Sequence, residues 1–220
     1  VKNWARQLCD EMEIEKNPYF QSMRDGSFDR EDFLRTQSQF FFAVEYFNRP
    51  MAALAARIPT NLQRVEVLRN AWEEHGEGNL RESHRQTFIT LLSRLGVDVQ
   101  SLDRAALWPE VDQFNASLGG VCLLESYRVG ASMLGIIEYM FAEISGWVAR
   151  FIVDSGWLES GDLVHYHLHQ ALDVRHSQDF FDIVAADRET HREEIQRGLR
   201  LGASAFDSLY RGLYRARGRR

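Results

Sequence analysis

The chain has 220 residues, of which 45% are hydrophobic and 12% aromatic, so it is long enough to bury the core of a single domain. Its formal net charge of −6 argues against nucleic acid as the main partner, because phosphate binding depends on clustered Lys and Arg. Two cysteines cannot build a disulfide framework, no signal-peptide pattern opens the sequence, and no apolar run reaches about 18 residues. We therefore expect a cytoplasmic protein without a membrane span. Only residues 215–220 are locally basic, and we expect this tail to be disordered.

Pro and Gly divide the chain into segments in which apolar residues recur at helical spacing. No run alternates in the strand pattern, so we predict an all-α chain of seven or eight helices. The predicted helices span residues 3–15, 27–58 with a break near residue 50, 60–76, 80–95, a short helix from 109 to 118, and then 121–153, 163–186 and 189–214. The predicted N-caps are Ser27, Thr60 or Asn61, and Asp162.

Two glutamates lie in strongly apolar surroundings. Glu45 falls in the aromatic run 40–47, and Glu138 lies in the run 134–141 of the most apolar predicted helix. Burial of an ionised carboxylate is costly unless the group is paired with a cation or binds a metal. Both are therefore candidate metal ligands, with an Arg partner as the alternative for each. The Phe residues around Glu45, together with Met140 and Phe141, also predict an apolar pocket floor.

A third carboxylate and a histidine flank a Gly-containing turn. The third predicted helix ends near Glu73 and Glu74, and His84 lies in the first turns of the next helix. Such an arrangement can bring a Glu and a His from two elements together. On its own, however, the segment fits a solvated charge cluster around the turn equally well.

The most specific pattern is His169-x3-Asp173-x2-His176 in the seventh predicted helix. At 100° per residue, these positions fall within about 60° of one another, so their side chains can converge on one metal ion. His165 extends the same stripe one turn earlier, but the pattern gives it no role. A solvated polar face with hydrogen-bonded histidines is the alternative.

Taken together, these candidates offer four carboxylates and three imidazoles: Glu45, Glu74, Glu138, Asp173, His84, His169 and His176. Mixed oxygen and nitrogen ligands are typical of iron or manganese sites, whereas a structural zinc site would be built from thiolates. Four negative charges also neutralise two divalent cations, which would remove the burial penalty of the glutamates. Ferritin-like bundles use two Glu-x-x-His motifs, and this chain has neither, so its scaffold must distribute the ligands differently.

These residues resemble the haem-oxygenase-like diiron oxidase superfamily, which includes the CADD-like para-aminobenzoate synthases and the UndA-type decarboxylases. The resemblance spans about residues 17–181 and is carried mainly by the His169, Asp173 and His176 motif. It is also carried by Asn70-x3-Glu74 followed by His84, a spacing that selects Glu74 rather than Glu73. Glu45 and Glu138 match the two remaining carboxylate positions.

The resemblance implies a single haem-oxygenase-like (TenA/PqqC-like) helical domain over residues 1–220. It implies two irons (Fe2+/Fe3+), with manganese as an alternative, held by Glu45, Glu74, His84, Glu138, His169, Asp173 and His176. The implied enzyme uses O2 to oxidise a small organic metabolite: an amino acid, a fatty acid or an aromatic precursor. Family habit also implies a homodimer.

Two other functional classes stay open. Metal-free enzymes share the fold, namely the TenA thiaminases and PqqC, and a thiaminase would need an active-site cysteine, for which Cys122 is the candidate. The second alternative is a non-enzymatic helical interaction module whose buried polar groups set specificity. A haem protein is disfavoured, because no histidine precedes His75, whereas haem oxygenase uses one near its N-terminus.

Overall fold

The structure, a computed structural model, describes residues 1–219, without the side chains of residues 103 and 104. Across these residues it is built from α-helices joined by turns and short 3-10 segments, with no strand, which confirms the all-α prediction. The helices are α1 (Lys2–Met12), α2 (Pro18–Arg24), α3 (Arg30–Tyr46), α4 (Asn48–Arg57), α5 (Asn61–Glu74), α6 (His84–Arg94), α7 (Pro109–Leu124), α8 (Tyr127–Asp154), α9 (Val164–Ala185) and α10 (Arg192–Ala216). None of the helices described is both long and apolar enough to cross a membrane.

The described residues form ten α-helices, more than the seven or eight predicted, because the predicted helix 27–58 is two helices, α3 and α4, and because α2 lies where no helix was predicted. Asp29, not Ser27, caps α3, since its carboxylate accepts hydrogen bonds from the backbone N–H groups of Glu31 and Asp32. The predicted break near Pro50 lies instead at Phe47, between α3 and α4. Pro50 occupies the first turn of α4, where a missing N–H leaves no helical hydrogen bond unmade.

Other caps decide where the remaining helices begin. Thr60 caps α5 as predicted by accepting from the backbone N–H of Gln63. The glycine pair 119–120 does not end α7, which continues to Leu124. Ser126 then caps α8 by accepting from the N–H of Val129. Asp162 is not the N-cap of α9 but lies in a 3-10 turn before it.

The long helix α8 lies at the centre of the fold and packs closely on α9 and α10. A Cβ added at Gly135 of α8 would come within 2.8 Å of the Phe181 ring of α9. A Cβ added at Gly202 of α10 would come within 2.5 Å of the Met133 carbonyl oxygen of α8. Glycine therefore permits both close approaches. The first approach occurs one turn before Glu138, which brings this residue towards the polar stripe of α9.

Aromatic side chains join the other helices to this centre. The Phe40 ring of α3 lies 5.7 Å from the Phe141 ring of α8 and 5.4 Å from the Tyr210 ring of α10, measured between centroids. Phe206 of α10 lies 6.1 Å from Phe141 in an edge-to-face arrangement. Such contacts stabilise the core beyond the burial of apolar area alone.

The basic tail has contacts up to residue 219, while the expected disorder of residues 215–220 stays a prediction. Helix α10 continues to Ala216. The Arg217 guanidinium lies 3.8 Å from the centroid of the Tyr214 ring. Both terminal nitrogens of Arg219 donate to the Glu110 carboxylate at 2.8 Å, a bidentate geometry that orders an arginine. Arg220 lies outside the described residues.

Candidate metal centre

Six of the seven predicted site residues come together between α5, α6, α8 and α9. Glu74 ends α5, His84 begins α6, and Glu138 lies near the middle of α8. The stripe of α9 supplies the other three, namely His169, Asp173 and His176. All six side chains are buried, and Asp173 and His176 have no exposed surface at all. Their burial in an otherwise apolar core sets them apart from a solvated polar face.

Three imidazoles form one part of this centre, which we call the imidazole subsite (His84, His165 and His169). One ring nitrogen of each lies within 4.8 Å of one from each of the others. The rings of His84 and His169 are stacked, with centroids 3.7 Å apart. In the part of the chain that the structure describes, the Nε2 atoms of all three are buried and have no hydrogen-bond partner. The sequence assigned no role to His165; its only signal was the spacing of one helical turn from His169.

The other part of the centre is the carboxylate subsite (Glu74, Glu138 and His176), whose ligand atoms also lie within 4.8 Å of one another. Nδ1 of His176 lies 3.7 Å from Glu74 Oε1, 3.8 Å from Glu138 Oε1 and 4.0 Å from Asp173 Oδ1. Glu74 also contacts Nδ1 of His84 through its other oxygen. Its carboxylate therefore spans the two subsites.

Side chains around the cluster hold the imidazoles in place. Asp173 Oδ1 contacts Nδ1 of His169 at 2.9 Å, and Glu73 Oε2 contacts Nε2 of His176 at 2.8 Å. Arg175 donates to the same Glu73 oxygen at 2.5 Å. Carboxylate partners of this kind fix the orientation of histidines that bind metals. The two neighbouring glutamates also differ in their contacts: Glu74 faces the cluster, whereas Glu73 lies outside it against Arg175.

Glu45 is not brought to the cluster, contrary to the prediction. Its side chain is 36% exposed, and its carboxylate accepts a hydrogen bond from Nε of Arg85 at 2.5 Å. The buried face of α3 instead carries neighbours in the aromatic run such as Phe40, Phe41 and Val44. The aromatic run thus buries one face of the helix without burying Glu45. The alternative given for Glu45, pairing with an arginine, is the arrangement in the structure.

The pKa values in the cluster follow from burial and from neighbouring charge. Burial alone would raise the pKa of Glu74, but the imidazoles of His84, His169 and His176 outweigh burial and lower it to about 2. Burial, assisted by the charge of Glu74, raises the pKa of Glu138 well above its usual value. Burial also raises the pKa of Asp173, and the nearby Glu138 and Glu74 add to the effect.

Burial acts on the histidines in the opposite direction. It lowers the pKa of His169 well below its usual value, and the neighbouring His84 lowers it further. Burial, followed by His169 and His84, also lowers the pKa of His165. Both imidazoles are therefore neutral near pH 7, the form that binds metals.

The donor set fits iron. Besides the three Nε2 atoms, the buried atoms without a partner among the described residues include Nδ1 of His176, Oε1 of Glu138 and Oδ2 of Asp173. Buried polar atoms nearly always have a partner, so a cluster of six such atoms points to a group that they bind. Neutral imidazoles and carboxylates are suitable ligands for iron or manganese.

A small apolar cavity of about 30 Å³ borders the centre. Its wall contains His84 and Glu138, and otherwise only apolar side chains: Phe40, Ala43, Val44, Phe47, Phe114, Ile137, Phe141 and Phe206. A single water needs roughly 10–15 Å³ of such space, so the cavity holds a molecule of diatomic size. This lining agrees with the expected apolar pocket floor.

Cys122 lacks the features of a catalytic nucleophile. The side chain is 1% exposed, and burial raises the pKa of its thiol to about 12. Reactive cysteines have lowered pKa values and access to solvent. The thiaminase alternative therefore loses its candidate residue.

Comparison with known proteins agrees with this fold and with iron as the metal. A family model described as an iron-containing redox enzyme, of haem-oxygenase type, matches residues 34–211. The 4-aminobenzoate synthase of Nitrosomonas europaea is 25% identical over 215 residues, which cover 90% of this chain and 85% of that protein.

Solved structures with the same fold are similar over nearly the whole chain. A heme oxygenase-like domain of unknown function from Shewanella denitrificans aligns with a TM-score of 0.79 at 11% identity, over 97% of this chain and 90% of that one. A TenA homolog from Pseudomonas syringae aligns with a TM-score of 0.73 at 16% identity, over 96% of this chain and 91% of that one. A CADD-like protein of unknown function from Nostoc punctiforme aligns with a TM-score of 0.72 at 19% identity, over 97% of this chain and 96% of that one. The chain therefore belongs to the haem-oxygenase-like family of iron-containing redox enzymes.

Proposed function

We propose that this chain is an O2-dependent non-haem diiron oxidoreductase that oxidises a small organic metabolite. The observation that carries the proposal is the pair of adjacent subsites, each with three buried ligand atoms within 4.8 Å of one another. One subsite offers nitrogen ligands only, and the other offers two carboxylates and one imidazole. Two iron ions held there would supply the electrons that reduce dioxygen, and manganese is the alternative metal.

The proposed ligands are Glu74, His84, Glu138, His169, Asp173 and His176. Glu45 is bonded to Arg85, so it could join these ligands only in the metal-loaded protein, after breaking that bond. Glu74 contacts Nδ1 of His84 through one oxygen and lies 3.7 Å from His176 through the other, so it would orient His84 and hold metal in the carboxylate subsite. Glu73 and Asp173 hold the rings of His176 and His169 in the orientation that directs the opposite nitrogen into the cluster.

Glu138 and Asp173 would handle protons when metal enters. Burial raises the pKa of both carboxyl groups, and the nearby charge of Glu138 raises that of Asp173 further. At least one of the pair therefore carries a proton in the metal-free protein near pH 7. Metal binding requires ionised ligands, so loading the centre releases this proton. Uptake of metal should therefore strengthen as pH rises.

The apolar cavity beside His84 and Glu138 supports a reaction from which water is excluded. Its lining of Phe, Ile, Val and Ala side chains would hold dioxygen against the centre. Amino acids, fatty acids and aromatic precursors are the proposed substrate classes. The similarity to a 4-aminobenzoate synthase favours an aromatic precursor.

Anaerobic titration of metal-free protein with Fe2+ tests the proposal. We expect about two irons per chain, followed by a transient visible absorption after rapid mixing with oxygenated buffer. His176→Ala should lose both, because His176 lies in the carboxylate subsite without exposed surface. His167→Gln is the matched control on the same helix, since His167 is exposed and its ring contacts Ser160, away from the cluster.

The proposal fails if the wild-type protein takes up no specific iron, or if His176→Ala behaves like His167→Gln.

A homodimer stays a prediction, which sedimentation equilibrium of the full chain would test.

A further inference from the structure

His165 has a place in the centre that the metal motif of the sequence does not give it. It lies on α9, one turn before His169, and is 1% exposed. Its ring centroid lies 4.6 Å from that of His169 and 5.0 Å from that of His84. A histidine buried only for packing would be expected to satisfy both ring nitrogens. Here Nε2 has no partner within the described residues, and a ring nitrogen of His165 lies within 4.8 Å of one from His84 and one from His169.

Thr87 determines which nitrogen of His165 carries the hydrogen. The Thr87 hydroxyl donates to the backbone carbonyl of His84 at 3.0 Å and contacts Nδ1 of His165 at 2.9 Å. A hydroxyl has only one hydrogen to donate. The two bonds can exist together only if Nδ1–H of His165 donates to the Thr87 oxygen. Nε2 then carries a lone pair directed into the cluster.

The same tautomer follows for His84. Nδ1 of His84 contacts a carboxylate oxygen of Glu74 and donates to it, so the lone pair of His84 also lies on Nε2. His169 contacts Asp173 through Nδ1, which leaves its Nε2 equally free of partners among the described residues. Three nitrogen ligands, each oriented by a different oxygen on its far side, are the arrangement of a tris-histidine metal site.

We propose that His165 is a metal ligand, held by Thr87, and that it completes a tris-imidazole subsite with His84 and His169. The inference rests on the proposed function, because it assigns one of the two proposed iron positions to these three residues. It makes the centre asymmetric: the imidazole subsite contributes neutral ligands, whereas the carboxylate subsite contributes charged ones. Neutral nitrogen ligands favour the lower oxidation state of the metal held there.

Titration with cobalt(II) tests the proposal without relying on activity, because the visible spectrum of cobalt reports its ligands. Metal-free wild type, His165→Gln, Thr87→Val and the control His167→Gln would be titrated under identical conditions. We expect two cobalt ions per wild-type chain. His165→Gln should lower the cobalt affinity of one of the two positions by about 100-fold or more and change the spectrum of the ion bound there, while the other position still binds cobalt. Thr87→Val should still bind two cobalt ions but with an affinity about 10-fold lower at the same position.

The outcomes separate this inference from the proposed function. If wild type binds cobalt at two positions and His165→Gln and Thr87→Val match it in affinity and spectrum, the role of His165 is refuted and the diiron proposal stands. If wild type takes up no metal, both proposals fail. If His165→Gln does not fold, as judged by circular dichroism, Thr87→Val decides. In that case, affinity equal to that of wild type refutes the inference, and selective weakening of one position supports it.

Discussion

The buried carboxyl pair of Glu138 and Asp173 makes a prediction about the metal-free protein. Both groups have pKa values raised by burial, so the folded chain holds a proton that the unfolded chain has released above about pH 5. Their contribution to stability is therefore full below the unfolded pKa values and is lost as pH rises towards the folded ones. One retained proton changes the free energy of unfolding by about 1.4 kcal/mol per pH unit. The loss therefore accumulates by up to this amount for each pH unit between the unfolded and the folded pKa values.

The perturbation that isolates this effect is the double variant Glu138→Gln/Asp173→Asn. Both amides resemble the protonated carboxyl groups in size and cannot ionise. Urea unfolding in the presence of a chelator, followed by circular dichroism at several pH values, gives the free energy of unfolding of variant and wild type. Other titrating groups contribute to both proteins and cancel in the comparison. We expect the wild type to lose stability relative to the variant as pH rises. Parallel pH profiles would refute the placement of the proton in this pair.

Three further predictions concern Cys122, Gly135 and Glu45. Native Cys122 should not react with iodoacetamide at pH 8, because a thiol with a pKa of about 12 is ionised to roughly 1 part in 10,000, and rapid alkylation would contradict its burial. Gly135→Ala should lower the free energy of unfolding by about 1–3 kcal/mol and weaken iron binding, because its Cβ would meet Phe181 at 2.8 Å. Gly120→Ala, where a Cβ meets nothing within 4 Å, is the control and should be neutral or stabilising in the same urea titration. Glu45→Gln should still bind about two irons per chain, and loss of one iron would return Glu45 to the ligand set.

Helical periodicity and turn residues were sufficient to predict the fold class. The stripe His169, Asp173 and His176 was predictable because all three lie on one helix, where spacing alone determines direction. Glu74 and His84 were harder to predict, because their approach depends on the path of the chain between α5 and α6. The choice between Glu73 and Glu74 came from a resemblance, and their contacts then separated them.

The sequence-based predictions for Glu45 and His165 differ from the structure for physical reasons that a pattern of residue types does not contain. The aromatic run around Glu45 suggested burial of the whole helix, but only one face of α3 is buried, and Arg85 from α6 lies within reach of the carboxylate. His165 was passed over because its partner Thr87 lies 78 positions away in the sequence and on another helix. Such contacts depend on how two helices pack, which helical periodicity does not specify.

The most direct test of the diiron centre is anomalous diffraction at the iron absorption edge from crystals of the iron-loaded protein. We predict two iron peaks per chain between α5, α6, α8 and α9, one beside the imidazole subsite and one beside the carboxylate subsite. A single peak would contradict a diiron centre. The absence of any peak near Glu74, His84, Glu138 and His176 would contradict the assignment of the site.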